Sequence, residues 1–316
     1  MRPESPWDFP QIHPSSASPR ISRGPRRRQG PGLLWRTRVS PSLPRYMLYS
    51  PPMPPLTIAH RGARSLAPEN TLEAARKAHA VGAELWETDV AFTRDERLIL
   101  FHDDLLKRTT GAPGKFFDTP LAEILALEPG RRFLETDPFE QVAAGAVAEA
   151  EHETIRAARV PTLVEALTLT KKLDWRVNVE LKRNPAHLPG FPLLKKVFEA
   201  VAESGAGPEH VLFSSAVHEW LDEIREKRPE FEVQALIALW PHDPVDYGDY
   251  RFDTYNVRRT RVPPGDVAAL VDKGKNVNVY VVNEADDMIA FAKAGAAGLI
   301  TDFPQRQTAL IAEGRL

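Results

Sequence analysis

From Leu56 onward the chain repeats one pattern: a short apolar run, then an amphipathic stretch of helical period, then another apolar run. Eight such runs read as strands, at 57–60, 84–90, 98–102, 176–181, 210–214, 233–238, 276–282 and 298–301. Helical stretches fall at 69–81, 119–127, 162–173, 191–204, 216–228, 264–273, 285–294 and 304–313. Strands alternating with helices predict a parallel sheet, because a parallel neighbour can be reached only by a crossover. Eight repeats suit a closed (β/α)8 TIM barrel; a doubly wound open sheet satisfies the same alternation. Residues 128–160 break the rhythm with Pro129, Gly130, acids and an Ala-rich patch, and read as a small insertion over one barrel loop.

The first 55 residues obey no such pattern. They hold 13 of the 29 prolines and nine arginines, with only Glu4 and Asp8 as acids. That composition buries too little apolar surface to offset the entropy of ordering, and predicts a disordered tail. No apolar core of a secretory signal follows the charges, and the prolines oppose the amphipathic helix of a transit peptide. A wrongly extended start, with the true one at Met47 or Met53, reads the same residues equally well. The tail carries about +7 and the remainder about −9, which together give the chain's −2. A globular part this acidic is a poor partner for nucleic acid, whose phosphates need clustered cations. No run has the 18 or so apolar residues of a membrane span, so stable membrane insertion is not expected. Cysteine is absent, which removes disulfides, thiolate metal sites and a Cys nucleophile. It fits a cytoplasmic protein.

Chemistry concentrates at the ends of the apolar runs. In Glu84-Leu-Trp-Glu-Thr-Asp-Val90, strand alternation puts Glu87 and Asp89 on one face and Trp86, Thr88 and Val90 on the other. Two carboxylates on a buried face need neutralising, by a divalent cation or by Arg or Lys. In Val177-Asn-Val-Glu-Leu-Lys182, Glu180 and Lys182 share a face, as a metal ligand beside a phosphate anchor or as a plain ion pair. His60 and His102 each end a run, where barrels place their active-site residues. Together they fit a proton donor and acceptor near neutral pH; singly, each fits a structural hydrogen-bonded group. Oxygen ligands without cysteine favour Mg²⁺ or Ca²⁺. Arg61 and Lys182 suit an anionic substrate. Neither a Walker loop nor a Gly-x-Gly-x-x-Gly turn supports a nucleotide cofactor.

The runs Ile58-Ala-His-Arg-Gly62, Pro68-Glu-Asn-Thr71, Glu87-x-Asp89 and His102-Asp103 with Arg108-Thr-Thr110 closely resemble the glycerophosphodiester phosphodiesterase family. Asn178-Val-Glu-Leu-Lys182 and the closing Gly298-Leu-Ile-Thr-Asp-Phe-Pro304 resemble its later motifs. The resemblance implies a TIM barrel over 56–316 and metal-dependent hydrolysis of small glycerophosphodiesters to glycerol 3-phosphate and an alcohol. It implies His60 and His102 as the general acid/base pair, and Glu87, Asp89 and Glu180 as ligands of Mg²⁺ or Ca²⁺. It puts Arg61 and Lys182 at the phosphate. Tyr280 stands where the family usually has Trp, as an aromatic wall for the glycerol. Glu69 and Asn70 fall where the family has site-supporting residues, although Asn70 also suits the cap of the following helix. Two other readings keep the same barrel: a phospholipase-type phosphodiesterase acting on lipid or lyso-lipid, and a phosphodiester-binding protein without turnover. Head group and oligomeric state have no signal in the sequence.

Overall fold

The computed structural model describes residues 53–239 and 242–316. Residues 1–52, where the disordered or wrongly started segment is expected, lie outside the described residues. That segment was expected to reach residue 55, but Pro55 is already buried and its carbonyl accepts a hydrogen bond from Gln307 Nε2 at 3.1 Å.

Among the described residues nine strands form: β1 (Leu56–His60), β2 (Leu85–Phe92), β3 (Leu98–Leu100), β4 (Arg176–Leu181), β5 (Val211–Ser215), β6 (Val233–Ile237), β7 (Thr254–Arg258), β8 (Asn276–Tyr280) and β9 (Gly298–Thr301). Eight of them are parallel, in the order β1-β2-β4-β5-β6-β7-β8-β9. β1 pairs with both β2 and β9, so the sheet closes on itself. This decides for the TIM barrel over the open sheet.

The eight barrel strands are not the eight expected. The run 98–102 was expected as a barrel strand, yet β3 pairs antiparallel with β2 and stands outside the ring. Only residues 93–97 separate the two strands, enough for a hairpin but far short of the dozen or more that a parallel crossover needs. The eighth place belongs to β7, which the sequence reading passed over. Its Tyr255 and Val257 are fully buried, while Asn256 meets Asn278 inside the barrel.

Alternation fills both sides of the ring. Outside, Tyr255, Val257, Val277, Val279 and Leu299 pack against Met288 and Phe291 of helix Ala285–Lys293 and Leu310 of helix Pro304–Ala312. Inside, Ile58, Leu85, Leu212 and Ile300 form a small apolar plug with Tyr280 against it. Beside this plug Asn278 Nδ2 donates to Asn256 Oδ1 at 2.9 Å and Gln234 Oε1 at 3.2 Å. A Cβ at position 298 would lie 2.6 Å from Asn278 Oδ1 and 2.7 Å from Ile58 Cδ1, so any side chain here would have to displace both.

Helices lie close to where periodicity predicts them. Helix Leu163–Lys172 opens with a capping box: Thr162 Oγ1 accepts from Glu165 N–H at 3.2 Å and Glu165 accepts from Thr162 N–H at 2.8 Å. Between the end of β2 and this helix, residues 93–161 form the longest excursion of the fold. It holds β3 and the helices Lys107–Thr110, Leu121–Leu125, Pro129–Thr136 and His152–Arg156. The expected insertion at 128–160 is thus one part of a larger elaboration at the C-terminal end of β2. Among the described residues no helix is long and apolar enough to cross a membrane.

Candidate active site

The strand C-termini surround a cavity of about 590 Å³. His60, Arg61, Glu87, His102, Glu180, Lys182 and Tyr280 all line it. Asp89, 1% exposed, is buried beside them. All eight residues singled out in the sequence are therefore gathered at one barrel mouth.

Register builds the acidic cluster. Glu87 and Asp89 are two apart on β2, and Glu180 of β4 pairs directly with Asp89. One oxygen from each carboxylate lies within 4.8 Å of the other two. Burial raises Glu87 well above the usual carboxylate range, and repulsion from Asp89 and Glu180 adds to it. Burial and Asp89 likewise raise Glu180. Burial works the same way on Asp89, but His102, Arg61, Lys182 and a hydrogen bond from Asn70 outweigh it and hold Asp89 low. Glu87 Oε1 and Asp89 Oδ1 are buried with no hydrogen-bond partner. Glu87 Oε1, without a partner, and Asp89 Oδ1, with only the Lys182 ammonium at 3.6 Å, sit beside a third carboxylate and fit a divalent cation, and an all-oxygen donor set suits Mg²⁺ or Ca²⁺.

Asn70 sets the angle of Asp89. Its Nδ2 donates to Asp89 Oδ2 at 2.9 Å, and its Oδ1 accepts from Thr88 Oγ1 at 2.7 Å and Asp89 N–H at 3.2 Å. Helix Leu72–Ala80 is capped instead by Thr71, whose Oγ1 accepts from Ala74 N–H. The capping role considered for Asn70 is thereby corrected. Its φ of 55° explains the exchange: Asn tolerates the left-handed region, and there its amide faces the strand rather than the helix.

Each histidine has a carboxylate behind it. His60 Nδ1 lies 2.6 Å from Asp302 Oδ1, and Asn283 Nδ2 steadies Asp302 Oδ2 at 2.8 Å. Burial, aided by Arg61, pushes the His60 imidazole down to about 4 against the opposing pull of Asp302. Burial would raise Asp302, yet its bond to His60 and the nearby Arg64 carry it down to about 2. At neutral pH the pair is a carboxylate accepting from a neutral ring, which leaves Nε2 without a proton. His102 Nδ1 lies 2.6 Å from Asp103 Oδ1, and Arg108 Nε donates to Asp103 Oδ2 at 2.6 Å. His102 does not end a barrel strand as expected. The hairpin turns back and brings it to the mouth, with Phe101 N–H donating to Asp89 C=O at 3.0 Å.

The expected phosphate anchors differ in freedom. Lys182 Nζ donates to His102 C=O at 2.7 Å and lies 3.6 Å from Asp89 Oδ1, which leaves a donor for a ligand. Arg61 is held by Glu69 at 2.8 Å and Asp89 at 3.2 Å. Tyr280 donates its hydroxyl to Ile237 C=O at 3.1 Å, which fixes the ring as a wall. The sequence reading assigned no role to Asp302, Asp103 or Asn283. Asp302 directly follows β9, so the rule that strand ends line the site applied to it as much as to His60.

The model of the glycerophosphoryl diester phosphodiesterase family matches residues 60–306. The chain belongs to that family. A glycerophosphodiester phosphodiesterase of Caldanaerobacter subterraneus subsp. tengcongensis is 30% identical over 264 residues, covering 83% of this chain and 100% of its own. Among solved structures, a putative glycerophosphoryl diester phosphodiesterase from Silicibacter pomeroyi shares the fold with a TM-score of 0.69 at 24% identity, covering 84% of this chain and 95% of its own. A phosphodiesterase from Oleispira antarctica, solved with the product sn-glycerol-3-phosphate, gives 0.67 at 23% identity over 82% of this chain and 97% of its own. Members of the glycerophosphoryl diester phosphodiesterase family are phosphoric diester hydrolases. The match here opens on His60 and encloses His102, the three acids, Lys182 and Asp302.

Proposed function

We propose that this chain hydrolyses glycerophosphodiesters to glycerol 3-phosphate and an alcohol, with metal help and with His60 and His102 moving the protons. One observation carries the reading: two carboxylate-backed imidazoles, three clustered acids and a partly free lysine line or adjoin the same cavity. Glu87, Asp89 and Glu180 would hold a Mg²⁺ or Ca²⁺ ion, which when bound would supply Lewis-acid stabilisation of negative charge at the phosphoryl group. Lys182 adds a second positive charge at the phosphate. His60, neutral with Nε2 bare, takes a proton from the attacking oxygen, which belongs either to water directly or to the glycerol 2-hydroxyl, water then opening the cyclic phosphate. Asp302 holds the ring in that tautomer and steadies the imidazolium that forms. His102, 35% exposed at its side chain, gives a proton to the departing alcohol at the more open side. Positioned acid and base groups contribute about 10²–10⁴-fold each.

Release of glycerol 3-phosphate from a panel of glycerophosphodiesters and a lysophospholipid tests this reading. His60→Ala and His102→Ala are each expected to lower kcat by about 10²-fold or more. A diester with a nitrophenol leaving group needs no protonation, so it is expected to restore His102→Ala but not His60→Ala. Equal restoration of both variants would reverse or void the assignment. A chelator is expected to stop turnover and Mg²⁺ or Ca²⁺ to restore it. The same ions are expected to raise the melting temperature of the wild type but not of Glu180→Gln. Turnover that survives exhaustive chelation would remove the metal from the reaction.

A further inference from the structure

A second cavity, of about 330 Å³, lies between the loop after β1 and the excursion after β2. Arg64, Glu69, Arg108, Arg132, Phe133 and Phe139 line it. Glu69 joins it to the catalytic cavity: its Oε1 accepts from Arg61, which lines the first, and from Arg108, which lines the second. The lining is cationic, with three arginines against one carboxylate. Glu69 is already engaged by Arg61, Arg64 and Arg108, at 2.7–2.8 Å.

Arg132 is the residue this arrangement leaves over. It is partly buried on helix Pro129–Thr136, and its guanidinium makes no hydrogen bond or ion pair among the described residues. Its Nε is wholly shielded from solvent, as are Arg64 Nε and Thr109 Oγ1, and none of the three has a partner. A half-desolvated guanidinium costs stability without a counter-ion, and its terminal nitrogens are the ones a ligand in the cavity could reach. The apolar walls formed by Phe133 and Phe139 strengthen any charge pairing made between them. A planar guanidinium fork matches the oxygens of a phosphate.

We propose that this second cavity binds a phosphate-class oxyanion, held by the terminal guanidinium nitrogens of Arg132 with Arg64 beside it. The anion is either free phosphate or a terminal phosphate on the alcohol arm of the substrate. In both cases it sits beside Arg108, which also grips Asp103 behind His102. Occupancy of the cavity therefore bears on the catalytic imidazole through two hydrogen-bonded side chains.

Calorimetric titration of the full chain with inorganic phosphate tests the site without calling on the proposed reaction. The wild type is expected to show a site that Arg132→Ala weakens about tenfold or more and Arg132→Lys weakens less. Lys182→Ala, which removes the anchor in the catalytic cavity, is expected to retain it. Indistinguishable titrations of wild type and Arg132→Ala, with matching melting temperatures, would overturn the proposal. Two diesters differing only by a terminal phosphate on the alcohol then identify the source. If the substrate carries the anion, the phosphate lowers KM about tenfold in wild type and Arg132→Ala erases the difference. If the anion is free, both diesters behave alike, and added phosphate changes kcat in wild type but not in Arg132→Ala. The kinetic arms rest on the function proposed above. Failure of wild type to cleave either diester would count against that function and leave the titration result standing.

Discussion

Asp302 shows how much of an imidazole's chemistry lies in the residue behind it. His60 is buried, next to Arg61, and both circumstances favour the neutral ring. A neutral ring has two tautomers, and only the one protonated on Nδ1 leaves Nε2 free to accept. Asp302, 2.6 Å from Nδ1 and itself fixed by Asn283, selects that tautomer. Asp302→Asn keeps the shape but offers an amide that can present its N–H to Nδ1. The ring is then held in the wrong tautomer. We expect kcat to fall by about 10²-fold or more, with KM little changed, because the loss belongs to the proton transfer. An unchanged kcat, with a melting temperature equal to wild type, would show that Asp302 does not position the base. Asp103 stands in the same relation to His102, but it is shared with Arg108, so a similar change there disturbs two side chains at once.

Among the elements, the loop from β1 to helix Leu72–Ala80 is under the tightest constraint. Arg61 and Gly62 have φ of 56° and 82°, so the chain doubles back immediately after His60. A Cβ on Gly62 would lie 2.6 Å from both the backbone carbon and the Cβ of Ala74. The glycine thus serves both the turn and the seat of the helix. Gly62→Ala is expected to destabilise the fold by about 2 kcal/mol or more through strain and overpacking together. A change in denaturant midpoint equivalent to less than about 1 kcal/mol would mean that the helix shifts freely, against this account. Element readings from the sequence succeeded where local signals agreed. The helix after Thr162 has a capping box, and the strands at 57–60 and 176–181 have clean alternation and clear breaks. They failed twice, for different reasons. Residues 98–102 look like any short buried strand, since apolar content says nothing about direction. The short gap after β2 carried that information, because so few residues cannot make a parallel crossover. Residues 254–258 read Thr-Tyr-Asn-Val-Arg, with polar inward positions that meet polar neighbours inside the barrel. No helix precedes this strand among the described residues of its connection, so the rhythm that marked the other strands was missing there.

The described residues form a ring with one heavily built rim. Two of its acids were legible because strand alternation alone puts Glu87 and Asp89 together, while Glu180 joined them in the sequence only through the family resemblance. Of the carboxylates behind the histidines, Asp103 directly follows its own histidine in the chain. The one behind His60 was not legible, because that pairing is set by tertiary placement: Asp302 lies 242 positions away. The same holds for the tie across the rim, where Glu69 of the loop after β1 joins Arg61 and Arg64 to Arg108 of the excursion after β2. Burial alone would raise Glu69, but hydrogen bonding from Arg108 and the charges of Arg61 and Arg64 hold it well below its ordinary 4.5. Glu69→Gln removes the one carboxylate that all three arginines share. At neutral pH it is expected to destabilise the protein by about 3 kcal/mol, the lower end for a broken buried pair because Arg108 is half-exposed. The dependence on pH follows from proton counting. Below about 4.5 the unfolded chain protonates Glu69 while the folded chain does not, so the unfolded state binds more protons and wild-type stability falls as pH falls. The amide of the variant has no proton to take up. The gap between wild type and Glu69→Gln is therefore expected to be constant above pH 5 and to narrow steadily below about 4.5. Denaturant unfolding at pH 7 and at pH 3.5 measures it directly. A gap of equal size at both would mean that Glu69 stabilises by shape rather than by charge, and the rim would then be held by packing alone.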